Sequence, residues 1–197
     1  MALYTIDRSS NWRRKAVEET IWGLDRLSAE LREKTVTAWV TTWTASPYKR
    51  LEDMPWSPGA DYPLIDHVNE VTRTGVDLAA RARTDWKMPF DDAVLMPALI
   101  LHDVDKPMMY ERVDGEVVGT TLSMEIPHGV VGGMLLKELG FEHEVISIVT
   151  THSPRMPFNH RGNVAYILHH ADTFSADQAS MKFGKKPAYL KRGAEGH

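Results

Sequence analysis

The stretch Pro97-Ala98-Leu99-Ile100-Leu101-His102-Asp103-Val104-Asp105-Lys106-Pro107 is the strongest constraint on how this chain can fold. An apolar run ends abruptly in a histidine and an aspartate, and a second carboxylate and a lysine follow at once. A fold that buries the run also carries the charges to the inner end of a buried element. Burying an unpaired charge costs several kcal/mol. Water at a helix end, a salt bridge or a metal ion must therefore neutralise the cluster.

Composition narrows the choice. The chain has 197 residues and no cysteine, which excludes disulfides, zinc–thiolate sites, iron–sulfur clusters and cysteine nucleophiles. Any metal must use imidazole and carboxylate. A net charge of −4 disfavours a general nucleic-acid-binding surface. No apolar run approaches the roughly 18 residues of a membrane span. The N-terminus shows no basic segment followed by an apolar core, so the expected location is cytoplasmic.

Apolar spacing predicts an all-α fold. Val17, Ile21, Leu24, Ser28 and Leu31 suggest a helix over 12–33, and Val36, Trp39, Val40 and Trp43 a second segment over 34–43. The proline-rich stretch 48–63 reads as a long loop. Further helices are expected from Asp66-His67, from Asp91 as N-cap through to His102, from Pro127-His128 to Leu139, over 142–152 and over 162–176. Asp114-Gly115, between β-favouring runs in 110–121, is a hairpin signal. These readings divide the chain into an N-terminal helical extension and loop (1–60), a central domain (61–180) and a basic, mobile tail (181–197). An exposed tryptophan-bearing face on the N-terminal helices would favour a homodimer.

Five of these segments carry a metal-ligating type of residue close to one end: His67, the pair His102-Asp103, His128, His152 and Asp172. In an antiparallel bundle such residues can converge on one layer. Imidazole and carboxylate suit divalent iron, manganese, zinc, nickel or magnesium. Six ligands are too many for one open site. They suit two metals sharing a carboxylate, which can lower the pKa of a water and clamp the attacking and leaving oxygens.

The ordered set resembles the HD-domain superfamily of metal-dependent phosphohydrolases. The flanking strings agree: LILHDVDKP, PHGVVGGMLL and HHADTFSAD are similar to family motifs, over 66–177. The resemblance implies an HD-domain helical bundle with two divalent metal ions, iron, manganese or zinc. Asp103 would bridge them. His67, His102 and Asp172 would complete one site, and His128 and His152 the other, the two extra histidines marking the dinuclear branch. The family often has glycine where this chain has Asp105, a further carboxylate able to alter substrate preference or to bind a histidine.

Around this set, Lys106 is placed to contact a substrate oxyanion or donate a proton, with a salt bridge to Asp105 or Glu111 as the plainer reading. Arg155 and Arg161 can hold an anionic group bidentately, with solvated loop arginines as the plainer and preferred reading. His169 and His170 are read as helix-surface residues, and His143 and His160 as exposed. The leading expectation is metal-dependent hydrolysis of a small-molecule phosphoester, a nucleotide or small organophosphate. The resemblance also admits the inositol-oxygenase-like branch, in which a mixed-valent di-iron pair cleaves a C–H or C–C bond of a small polar substrate.

Overall fold

The computed structural model describes residues 2–154 and 156–191. It is a helical bundle with two small antiparallel strand pairs. The helix expected over 12–33 is two helices, α1 (Asn11–Thr20) and the start of α2 (Ala29–Thr44). Ile21 closes α1 in extended backbone, and Ser28 opens α2 as its N-cap, its Oγ accepting from Leu31 N at 3.2 Å. A serine that satisfies an orphan amide in this way marks a helix start rather than a position on an apolar face. The second expected segment merges into α2.

The stretch expected as a loop is a correction. It contains β1 (Pro55–Ser57) and β2 (Ala60–Pro63), so the fold has two strand pairs and not one hairpin. Each strand is too short for alternation to show above its prolines. The hairpin expected at Asp114-Gly115 is present: β3 (Tyr110–Val113) pairs with β4 (Glu116–Gly119) in full register, and both turn residues have positive φ.

The long α3 (Leu64–Trp86) packs lengthwise on α9 (Asn163–Lys182). Against both packs α4 (Asp92–Leu101), which also touches α2 and α8 (His143–Thr151). Asp91 caps α4, Oδ1 accepting from Ala93 N at 2.8 Å. Every residue from Val94 to Leu101 is buried. A helix apolar on all sides must occupy the centre of a bundle, and α4 does. A short α5 (Lys106–Met109) follows it, then β3, β4, α6 (Thr121–Glu125), α7 (Val130–Glu138) and α8. The helix expected from Pro127-His128 starts only at Val130, so His128 lies on the connection before it.

Val17, Trp39 and Trp43 belong to the same hydrophobic core as α3, α4, α8 and α9. Trp39 and Trp43 are buried inside this chain, while Trp12 on α1, edge-on to Trp43, is exposed. Within the expected tail, α9 runs on to Lys182 and α10 (Ala188–Lys191) follows, with Asp177 accepting from Ala188 N. Positions 192–197 lie outside the described residues. Among the described residues, no helix is long and apolar enough to cross a membrane.

Candidate metal centre

The centre is assembled from the ends of buried elements. His67 sits in the first turn of α3, His102 caps the C-terminus of α4, and Asp103 follows it. His128 precedes α7, and His152 caps the C-terminus of α8. Asp172 is the exception: it lies midway along α9 rather than near an end. The negative ends of the α4 and α8 dipoles point at the cluster and favour positive charge there.

The six side chains form two groups whose donor atoms lie within 4.8 Å of one another: His67, His102 and Asp172, and Asp103, His128 and His152. Asp103 connects them. Its Oδ2 lies 3.3 Å from His67 Nε2 and 3.5 Å from His102 Nε2. Its Oδ1 lies 2.8 Å from His128 Nε2 and 3.5 Å from His152 Nε2. One carboxylate oxygen thus faces each histidine pair.

The outer nitrogens of the four rings are occupied. His102 Nδ1 lies 2.9 Å from the Leu99 carbonyl, and His152 Nδ1 lies 2.8 Å from the Val149 carbonyl. A carbonyl only accepts, so each Nδ1 carries its proton and each Nε2 is turned inward, where it can offer a lone pair to a cation. His128 Nδ1 donates to Asp105 Oδ1 at 2.7 Å. His67 Nδ1 lies 3.0 Å from Ser175 Oγ, which donates to Glu70 Oε2 at 2.7 Å. The Ser175 hydroxyl proton is therefore committed to Glu70, and its oxygen accepts from His67.

The inner nitrogens meet in pairs. His67 Nε2 is 3.2 Å from His102 Nε2, and His128 Nε2 is 3.2 Å from His152 Nε2. Two lone pairs at that distance repel unless a proton or a cation lies between them. Asp103 Oδ2 is buried without a hydrogen-bond partner, although Lys106 Nζ forms an ion pair with it at 2.6 Å. Converging lone pairs, buried carboxylates and ring protons turned outward fit divalent cations of the N/O-binding kind.

Titration follows the same field. Burial alone would lower the His67 pKa, but Asp103 and Asp172 raise it above its ordinary value. Burial likewise opposes the proton on His128, and the charges of Asp105 and Asp103 bring its pKa up to about 9. Burial pushes the Asp103 carboxyl up, yet Lys106, His102 and His128 hold it well below the usual range. Asp105 and Asp172 are lowered as well, against burial, by His128 and by the His67–His102 pair respectively. Protons and metal ions compete for the same lone pairs here.

The other expected residues scatter. Lys106 is buried, and its salt bridge goes to Asp103 rather than to Asp105 or Glu111; its Nζ lies 5.1 Å from the Trp56 ring centroid. Arg161 is exposed and lines a cavity of about 300 Å³ together with His152, Asn159, His160 and His169. Arg155 lies outside the described residues. His169 faces this cavity rather than open surface, and His160 is half-buried with Nδ1 3.1 Å from Ser147 Oγ. His143 is exposed, as is His170. A second cavity, of about 730 Å³, opens beside His128 between Ser57, Met109, Tyr110, Ser123 and Met156. Sequence reasoning did not single out Glu70 or Trp56, and it gave Ser175 no role beyond its place in the string HHADTFSAD. Ser175 follows Asp172 by three residues, which places both on one helix face; nothing local marked the other two.

A helical bundle that gathers four imidazoles and two carboxylates around its buried end defines a candidate dinuclear metal protein. The family model described as HD domain matches residues 64–177, more than half of the sequence, and the chain belongs to the HD-domain family. That family consists generally of metal-dependent hydrolases. Comparison with curated proteins gave no match, and neither did comparison with solved structures.

Proposed function

We propose that the protein hydrolyses a phosphoester of a small organic molecule, with two divalent cations held by His67, His102, Asp103, His128, His152 and Asp172. The observation that carries this reading is the Asp103 carboxylate, with one oxygen toward each histidine pair. Two cations held by these residues would supply an activated water and neutralise charge that develops on phosphorus-bound oxygens. The protein's own contribution is geometric. Hydrogen bonds to Leu99, Val149, Asp105 and Ser175 fix the four ring orientations before any substrate arrives.

Lys106 is the cation nearest the bridging carboxylate, and contact with a phosphoryl oxygen or proton donation to the leaving group falls to it. Arg161, across the smaller cavity from His152, is assigned to an anionic group of the substrate, and Arg155 is proposed for the same role. The cavity beside His128 has a volume within the range of small-molecule sites. It suits a small organophosphate better than a long polyphosphate chain.

A second reading, oxidation of a small polar substrate at a mixed-valent di-iron pair, is supported by the same cavity. Its walls combine Met109, Met156, Pro127 and Pro157 with serine hydroxyls, a lining suited to a small organic body. One experiment separates the readings. The protein is purified without added metal, its metals are quantified, and its EPR spectrum is recorded after partial oxidation. It is then reconstituted with manganese or zinc and assayed on a phosphomonoester panel. Turnover by the manganese or zinc form supports hydrolysis. Two irons with a coupled mixed-valent signal, and no phosphoester turnover by any metal form, would overturn it in favour of oxidation.

A further inference from the structure

Asp105 is a completely buried carboxylate that the ligand set does not use. Its two oxygens have separate tasks. Oδ1 accepts from His128 Nδ1 at 2.7 Å. Oδ2 accepts from the backbone amides of Gly129 at 2.7 Å and Gly132 at 3.2 Å. These are the amides of the N-cap and third positions of α7, two of the donors that a helix leaves unsatisfied at its start.

The arrangement follows from Gly129. Its φ is +92°, and a Cβ there would lie 2.7 Å from the Val149 carbonyl oxygen. Position 129 therefore has no side chain with which to cap its own helix. Asp105 supplies the cap from another segment, and the same carboxylate turns the adjacent His128. The other half of the centre is built differently: His67 is backed by the Ser175 hydroxyl and His102 by a carbonyl.

We propose that Asp105 is a positioning residue that sets the tautomer of His128 and thereby selectively controls metal binding at the half formed by Asp103, His128 and His152. The proposal rests on the dinuclear reading above. With Oδ1 accepting, the His128 proton is held on Nδ1, and Nε2 is left as a ligand facing Asp103 and His152. Carboxylate partners of this kind also raise ligand basicity.

The division of labour between the two oxygens makes a clean test. In Asp105→Asn, the amide oxygen can take the place of Oδ2 and keep both α7 amides. The reverse orientation would set an NH₂ group against two N–H donors. The Asn NH₂ then faces His128 Nδ1, two donors cannot share a bond, and the proton moves to Nε2. This is how a carboxylate-to-amide change disables a catalytic-triad histidine, by stabilising the wrong tautomer.

The experiment is a titration of metal-free wild type and Asp105→Asn with Zn²⁺, read as ions bound per chain and stepwise affinities. Imidazole ¹⁵N–¹H spectra of both zinc-loaded proteins accompany it. Wild type should bind two ions. The variant should bind one as wild type does and the second about 10–100-fold more weakly, with the His128 proton on Nε2. Two ions at wild-type affinities in Asp105→Asn would overturn the proposal and leave Asp105 as a helix cap only. Equal weakening of both ions would overturn its selectivity. Should the variant fail to fold, the wild-type spectrum decides: zinc on His128 Nε2 with a hydrogen-bonded Nδ1 proton supports the proposal, and zinc on Nδ1 overturns it. Fewer than two ions in wild type would instead overturn the dinuclear reading.

Discussion

In the half of the centre formed by His67, His102 and Asp172, both imidazoles are completely buried, and their outer nitrogens rest on a serine and a backbone carbonyl. In the half formed by Asp103, His128 and His152, the His128 side chain keeps 19% of its surface exposed and lines the larger cavity, while His152 lines the smaller one. The two halves share one local device. A histidine caps a helix C-terminus and donates Nδ1–H to the carbonyl three residues back, His102 on α4 and His152 on α8. They differ in what surrounds it. The imidazoles of the first half are set into the core, while its Asp172 side chain keeps 20% of its surface exposed. The second half opens toward both cavities and is where a substrate would meet the metals.

The largest effect is expected where the halves join. Asp103→Ala removes the carboxylate both share, and metal content should fall below one ion per chain with activity at background, as elemental analysis and the phosphoester assay would show. Retention of both ions would break the picture of two halves tied by one residue.

Single-ligand changes should then separate the halves. His67→Ala opens a cavity in the core and should cost about 2–5 kcal/mol of stability in denaturant unfolding of the metal-free protein. His152→Ala should lose the second ion with a smaller change in midpoint. Equal destabilisation by the two variants would remove the distinction between anchor and open face.

A smaller effect should come from pH. Raised by Asp105 and Asp103 against burial, His128 holds its proton up to about pH 9 in the metal-free protein. Its contribution to stability is full below the ordinary value of 6.5 and is lost as pH rises through 9. Metal binding runs in the opposite direction. The second ion displaces that proton, so its apparent affinity should rise by about tenfold per pH unit up to about pH 9. Affinity measurements across this range that stay flat would contradict the role given to His128. The smallest change is expected from Arg161→Ala, which should raise KM a few-fold and leave kcat and metal content unchanged, since the residue lines the smaller cavity and is not one of the six ligands.

The ligand set was legible in the sequence because its chemistry is carried by residue type and order: His67, His102-Asp103, His128, His152 and Asp172 stand out against the apolar helices that deliver them. The central helix was legible for the same reason, since a run such as Leu99-Ile100-Leu101 has nowhere to go but the interior. Other features were hidden by physics that acts across the chain. Ser28 caps α2 through one local hydrogen bond that periodicity does not register. The β1–β2 pair consists of short strands whose pairing depends on position rather than pattern. Asp105 was visible as an extra carboxylate, but its role depends on Gly129 approaching Val149, a contact between two helices. Lys106 pairs with Asp103 across a single turn, three residues on, with Lys106 N donating to the Asp103 carbonyl at 3.1 Å; the spacing was visible, but which carboxylate it would choose was not.

The most direct test of the dinuclear centre is the number of metal ions per chain after reconstitution of the protein and removal of excess metal. Two ions in wild type, and fewer than one in Asp103→Ala, are the result that a shared carboxylate between two halves requires. A single ion in wild type, unchanged by loss of Asp103, would contradict it.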